Sequence, residues 1–541
     1  MNRRKFLGVV PGALALHTLP APLLWAETKT ARVMSVRANG AKGTGTDLDT
    51  DALQKAIDEC AAMGGGIVRV EAGTYLTGPL RLRSHVTLQL DKGATILGLP
   101  SAGKDANAPG SMSPLISAYR ANNISIVGQG TINGNGKTYW VRRTDRHPVT
   151  PDREWRDVTQ FNYNALPHPG QMVNLTDCRN VLVSGVTLTQ STAWTLRLFQ
   201  CDGVKVQGIT IDNPRYGLNT DGIDIHCTSN VLVEDCHITT GDDGVCLKSE
   251  GHPEEIRPVR NIIVRRCVID TPCNALKIGT GTQGLFENIS FSDCNVFSHY
   301  PYIGDRMLAA VALEIVDGGA IRGVSVKNIT ADKVRSPIFI RLGNRGTGQT
   351  KKVPGSVKDV VIANFKATNA SVTSSITGLV GTKVENVRLE NIDISTDEAG
   401  TAEWASRTIP EADHEYPEST VFGRLPASGF YCRHVKGLVF DNVRVTSLVP
   451  DFRPTLVCDD VSELTVSKLD VSKPQAEVPA VVLTEVRSAT LKDCIAPKDS
   501  DVYLRVTGSG SSGIALQHSD MRGAKKPVDA AAGVVTVQAQ A

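Results

Sequence analysis

Short runs in which apolar and polar residues alternate recur along most of this chain. Asn180-Val-Leu-Val-Ser-Gly-Val-Thr-Leu, Gly203-Val-Lys-Val-Gln-Gly-Ile-Thr-Ile and Asn230-Val-Leu-Val-Glu-Asp-Cys-His-Ile set the pattern. It returns at Asn261, Asn288, Gly323, Asp359, Asn386, Gly437 and Glu463. Period-two alternation of β-branched residues predicts strands. The intervals between successive anchors are 23, 27, 31, 27, 35, 36, 27, 51 and 26 residues, with no helical pattern between them. A coil of three short strands and three turns takes about two dozen residues at about 3.3 Å per residue. The repeat therefore predicts an all-β fold, a right-handed parallel β-helix or solenoid.

One helix is expected, as a cap. Asp49-Thr50-Asp51 precedes a segment that puts Leu53, Ala56, Ile57, Cys60 and Ala61 on one stripe, and Gly64-Gly65-Gly66 ends it. A solenoid needs such a cover because its first coil exposes core and strand edges. The first coil is expected to begin at Ile67. Longer intervals imply inserted loops, near residues 140–171 and 395–430, on the face that lines a binding groove. By length alone 541 residues would hold about three or four domains. The unbroken repeat argues instead for one solenoid over 27–541. Cys236, Cys267 and Cys294 recur at one point of the repeat, which reads as a buried ladder of small apolar groups.

Composition removes several function classes. The formal charge of +2 becomes −1 without residues 1–26, which hold Arg3, Arg4 and Lys5 and no acid. That excludes a broad nucleic-acid footprint, which needs clustered cationic excess. No later stretch is long and apolar enough for a membrane span. Residues 1–26 themselves resemble a twin-arginine export signal: Arg3-Arg4-Lys5-Phe6-Leu7, then a weak apolar stretch to Ala26. They imply the twin-arginine export machinery as a partner, and a periplasmic or secreted, bacterial protein.

The chemistry concentrates in carboxylates. Asn219-Thr220-Asp221-Gly222-Ile223-Asp224 and Gly241-Asp242-Asp243-Gly244 start 22 residues apart, close to one coil. One coil is one strand step of about 4.8 Å, so Asp221 is expected above the Asp242-Asp243 pair. Acids that close repel, which keeps one protonated while a neighbour stays ionised. From spacing alone three readings stand: paired acids for glycosidic hydrolysis, ordinary Asx turn chemistry, and a calcium site.

The two motifs, together with Ala38-Asn-Gly-Ala-Lys-Gly, Gly73-Thr-Tyr and Gly241-Asp-Asp-Gly-Val-Cys-Leu-Lys248, resemble family 28 glycoside hydrolases, the polygalacturonase family. The resemblance implies an inverting hydrolase in which Asp242 is the general acid and Asp221 and Asp243 activate water. It also implies an acid-to-base separation of about 6.5–9.5 Å. No cofactor is needed. Two family motifs are altered. Asn274 stands where Gly-His-Gly carries its histidine. The Arg-Ile-Lys strand, which implies a grip on a galacturonate carboxylate, matches Val311-Ala312-Leu313-Glu314-Ile315, and Glu314 has the wrong sign for it.

Asn219, Asp224, Lys248, Asn274, Lys277, Glu314 and Arg341 are therefore the candidate substrate-binding residues. Lys248 and Lys277 are expected in matching positions of neighbouring coils, with Arg341 one coil on, as replacement cations. His226 and His299 are weaker candidates, and Trp140, Trp155, Tyr300 and Tyr302 are candidate stacking platforms. The expected activity is inverting hydrolysis of a pectin-related polysaccharide or oligosaccharide, rhamnogalacturonan-type or galacturonate-containing. Two alternatives remain. One is a calcium-dependent polysaccharide lyase whose proton acceptor is Lys248 or Arg341. The other is a carbohydrate-binding β-helix without activity.

Overall fold

A computed structural model describes residues 32–105, 112–144, 162–299, 306–475 and 477–538. Trp155, Tyr300, Tyr302 and the export segment 1–26 lie outside the described residues. The chain is a right-handed parallel β-helix. Thirty-nine of its strands join one continuous sheet, and every pairing in its ladders is parallel. The exception is a two-stranded antiparallel sheet, Trp140–Arg142 with Tyr163–Ala165, which lies in the expected 140–171 insertion. One apolar core fills the solenoid from Val36 to Leu516.

The repeat anchors share one backbone conformation. Asn180, Gly203, Asn230, Asn261, Asn288, Gly323, Asp359, Asn386, Gly437 and Glu463 all have positive φ. Asn, Asp and Gly visit this left-handed region at least cost, and a corner in each coil demands it. The asparagines also bond along the axis. Asn261 donates its amide to Asn230 at 2.8 Å, and Asn288 donates to Asn261 at 2.9 Å. The cysteine row is stacked as expected: Val268 and Asn295 bond back to the Cys236 and Cys267 carbonyls, and all three thiols are buried and free.

The helix Thr50–Ala62 buries Leu53, Ala56, Ile57 and Cys60 against the first coils. Its N-cap works differently from the expectation. The Asp49 carboxylate accepts the Lys42 and Gly43 amides, at 2.7 and 2.9 Å, and so closes the preceding turn rather than the helix. The solenoid also starts before Ile67. Val33–Ser35 and Thr44–Leu48 already pair onto the strands that follow the helix. Among the described residues no helix is long and apolar enough to cross a membrane.

Asn261→Val should destabilise the chain by about 1–3 kcal/mol, because a β-branched residue is strained at positive φ and the ladder bond is lost. Asn261→Gly should lose less, since only the bond goes. Midpoints of urea unfolding for the two variants check the order.

Candidate active site

Strand register places the aspartates. Ile223–His226 pairs with Val245–Ser249, Ile223 facing Val245, an offset that brings Asp221 beside Asp243. The Gly222 amide donates to the Asp243 carbonyl at 2.9 Å. The glycines next to the acids allow this approach. A Cβ on Gly222 would lie 2.5 Å from the Gly244 carbonyl oxygen, and one on Gly244 would lie 2.8 Å from that of Ala275. Neither glycine has positive φ, so contact distance rather than turn geometry requires them.

One oxygen from each of Asp221, Asp242 and Asp243 lies within 4.8 Å of the others. That is tighter than the expected separation, because the strand step itself sets neighbouring coils about 4.8 Å apart. Asp221 and Asp243 are buried, at 4% exposure each, while Asp242 is partly open. The Asp243 amide donates to Asp242 Oδ1 at 2.8 Å.

Two buried lysines divide the acids between them. Lys248 Nζ lies 2.7 Å from Asp224 Oδ1 and 3.4 Å from Asp221 Oδ2. Lys277 Nζ lies 3.0 Å from Asp243 Oδ2, and Asn274 donates its side-chain amide to Asp243 Oδ1 at 2.8 Å. The consequences are opposite. Burial, then the charges of Asp224 and Asp242, push Asp221 well above the usual carboxylate range. Burial acts on Asp243 too, but Lys277, Lys248 and the Asn274 bond outweigh it and hold that carboxyl below its ordinary value. The surroundings thus favour the protonated form of one buried acid and the ionised form of its neighbour.

The same trio has the spacing of a cation site. Carboxylate oxygens this close can share a divalent ion at about 2.3–2.6 Å. The ammonium groups of Lys248 and Lys277 already stand 3.4 Å from Asp221 and 3.0 Å from Asp243, and a cation there would meet their charge.

Several expected residues take other positions. Asp224 is fully buried on Lys248 and cannot meet a sugar hydroxyl. Lys248 and Lys277 are not level. Lys277 faces Cys246, and Lys248 faces His226, because Leu276 pairs with Val245 rather than with Leu247. Arg341 is two coils beyond Lys277 and pairs with Glu314. Its guanidinium donates to the Glu411 and Ala412 carbonyls, at 2.9 and 2.6 Å, instead of facing a groove. Glu314 is fully buried over Gly279, and burial holds it well above the ordinary glutamate range. Asn219 is exposed at a left-handed corner. Trp140 is buried edge-on against Tyr216 at 5.8 Å. His299 is bonded to Asp270, outside the aspartate cluster.

The 395–430 insertion adds a residue that the motifs did not reveal. Its Glu418 reaches to 3.9 Å from Lys277 Nζ. Burial lifts Glu418 to about 7, against the pull of Lys277 and with help from the Asp243 and Asp242 charges. Beyond it, Ile409, Phe422 and Leu425 pack onto Ala309, Ala312, Phe339, Tyr431 and Val457, covering the outer face of the sheet past Lys277. The length of the interval at Asn386–Gly437 signalled this insertion, but not what it covers.

The model of glycosyl hydrolases family 28 matches residues 60–412. The chain belongs to this family. It is therefore a glycoside hydrolase. It is 26% identical over 381 residues to a probable polygalacturonase of Vitis vinifera, covering 66% of this chain and 72% of that one. It is 28% identical over 369 residues to an endo-polygalacturonase of Pectobacterium parmentieri, covering 64% and 84%. Among solved structures, an exopolygalacturonase of Thermotoga maritima shares the fold with a TM-score of 0.55 at 23% identity, over 68% of this chain and 87% of that one.

Because folding raises the Glu418 value above that of an unfolded glutamate, the folded state binds the extra proton between about 4.5 and about 7. Stability from this group is present at low pH and falls as pH rises through that window. Glu418→Gln removes the dependence. Its thermal midpoint should exceed the parent's by more at pH 8 than at pH 5, which calorimetry at the two pH values checks.

Proposed function

We propose that this hydrolase cleaves, with inversion, a glycosidic bond in a galacturonate-containing, pectin-related polysaccharide, working from one end of the chain. The observation that carries the reading is the division of labour among the three aspartates. Asp242, the only one open to a substrate, donates a proton to the leaving oxygen as the C–O bond breaks. Asp243, held ionised by Lys277, takes a proton from water as its oxygen attacks the anomeric carbon from the opposite face. Asp221 keeps its proton and donates a hydrogen bond to the water or the sugar. This departs from two equivalent bases. Action from one end is supported by the insertion, whose Phe422 and Leu425 cover the sheet face beyond Lys277. The relatives' names, polygalacturonases with endo and exo action, support the substrate class.

Asp242→Asn should lower kcat by about 10²–10⁴-fold, the usual range for a lost general acid, with sugar binding retained. NMR should show the inverted anomer as the first product. A chelator should leave activity unchanged, and no unsaturated, ultraviolet-absorbing product should form. The opposite result on both counts would favour the calcium-dependent lyase that the 4.8 Å carboxylate cluster otherwise fits.

The segment 1–26 supports export of the folded chain by the twin-arginine machinery, to the periplasm or beyond. Replacing both Arg3 and Arg4 with Lys should leave the full-length chain in the cytoplasm, as fractionation and immunoblotting would read.

A further inference from the structure

One coil before the aspartates, the strand Trp194–Phe199 carries a cation that forms no ion pair among the described residues. Arg197 pairs in the ladder with Asp224, so it sits next to the reacting carboxylates along the solenoid axis. Its guanidinium lies 4.2 Å from the Phe199 ring centre and 5.7 Å from that of Trp194. Its Nη2 donates to His226 Nδ1 at 3.0 Å. His226 is held neutral, at about 3, by burial and by Arg197 itself, and its Nε2 donates to the Glu250 carbonyl at 3.0 Å. The imidazole thus orients the guanidinium but offers no negative charge.

The nearby acids are otherwise engaged. Asp224 bonds to Lys248, and the Glu250 carboxyl packs over Gly281. Among the described residues no carboxylate lies within the 4.0 Å of an ion pair with Arg197. Its Nε is buried with no hydrogen-bond partner. Leaving a partly buried guanidinium without a counter-ion is costly, and a carboxylate ligand would offset that cost. Trp194 beside it is partly exposed, and its neighbour Thr195 donates to the Asp221 carbonyl at 2.9 Å. An aromatic face and a forked cation therefore adjoin the acids on the side that the insertion leaves uncovered.

We propose that Arg197 is the carboxylate anchor of this enzyme, binding a uronate residue of the substrate one coil before Asp221, with Trp194 as the face on which that sugar stacks. The grip on acid is thereby moved. Lys277 is taken by Asp243, the next coil offers Ala312 and Glu314, and the charge for a uronate stands on the Trp194 side. A guanidinium fits a carboxylate through two parallel hydrogen bonds, so lysine is a poor replacement. The inference rests on the proposed uronate-containing substrate, and its test does not require turnover.

Titration calorimetry of the Asp242→Asn variant with galacturonate trimer, and with its fully methyl-esterified counterpart, reads the anchor directly. The free acid should bind more tightly than the ester. Adding Arg197→Gln should weaken binding of the free acid by roughly 10- to 100-fold, the range for a charge-assisted bond, and erase the preference. Arg197→Lys should recover only part of it. Equal weakening for acid and ester would mark Arg197 as merely structural, and unchanged binding of the acid would also overturn the proposal. If the parent enzyme fails to cleave any pectic polymer while the Arg197-dependent preference persists, the hydrolysis reading fails and the anchor stands.

Discussion

The parallel strand ladder is the constraint from which the rest follows. Each coil hydrogen-bonds to the next in fixed register, so residues far apart in sequence are held about one strand step apart in space. Ile223 facing Val245 is enough to set Asp221 beside Asp243, and the Gly222 and Gly244 positions remove the side chains that would keep the coils apart there. No loop has to close for the acids to meet. The asparagine corners keep the same register along the axis, coil after coil, through side-chain bonds between equivalent positions.

That rigidity creates an electrostatic problem, which the site resolves by unequal sharing. Asp221, Asp224, Asp242, Asp243, Glu314 and Glu418 lie around two buried lysines, so not every acid can be balanced. Asp243 receives the best partners, Lys277 and the Asn274 amide, and stays charged. Asp221 shares Lys248 with Asp224 and keeps its proton. The split in ionisation that hydrolysis needs is thus produced by which lysine stands nearer to which acid. Asn274 cannot exchange protons as a histidine would, but as a donor it strengthens the ionised form of Asp243.

The insertion depends on two buried arginines of the sheet's outer face. Arg341 and Arg433 donate to backbone carbonyls of residues 409–412 and lie 4.7 and 5.8 Å from the Phe422 ring centre. They stand in one row two coils apart, with Thr377 between them, and hold the loop down, while its Glu418 lies within reach of Lys277. Arg341, expected from sequence to grip substrate, holds the wall of the site instead.

Much of this was legible in the chain alone. The recurring interval of about two dozen residues pointed to a solenoid, because a coil of three short strands and three turns takes about that length. The Asn, Asp and Gly anchors marked left-handed corners, and the 22-residue offset of the two acidic motifs put Asp221 over Asp243. These properties are local or repeat at a constant interval. Tertiary structure decided what depends on a shift of register or on a distant segment. The pairing of Leu276 with Val245, not with Leu247, set Lys277 level with Cys246 instead of Lys248. The fold brought Glu418 from an aperiodic loop onto Lys277, and turned Arg341 toward that loop. It also left Arg197 without a counter-ion, since a missing partner in space has no signature along a sequence.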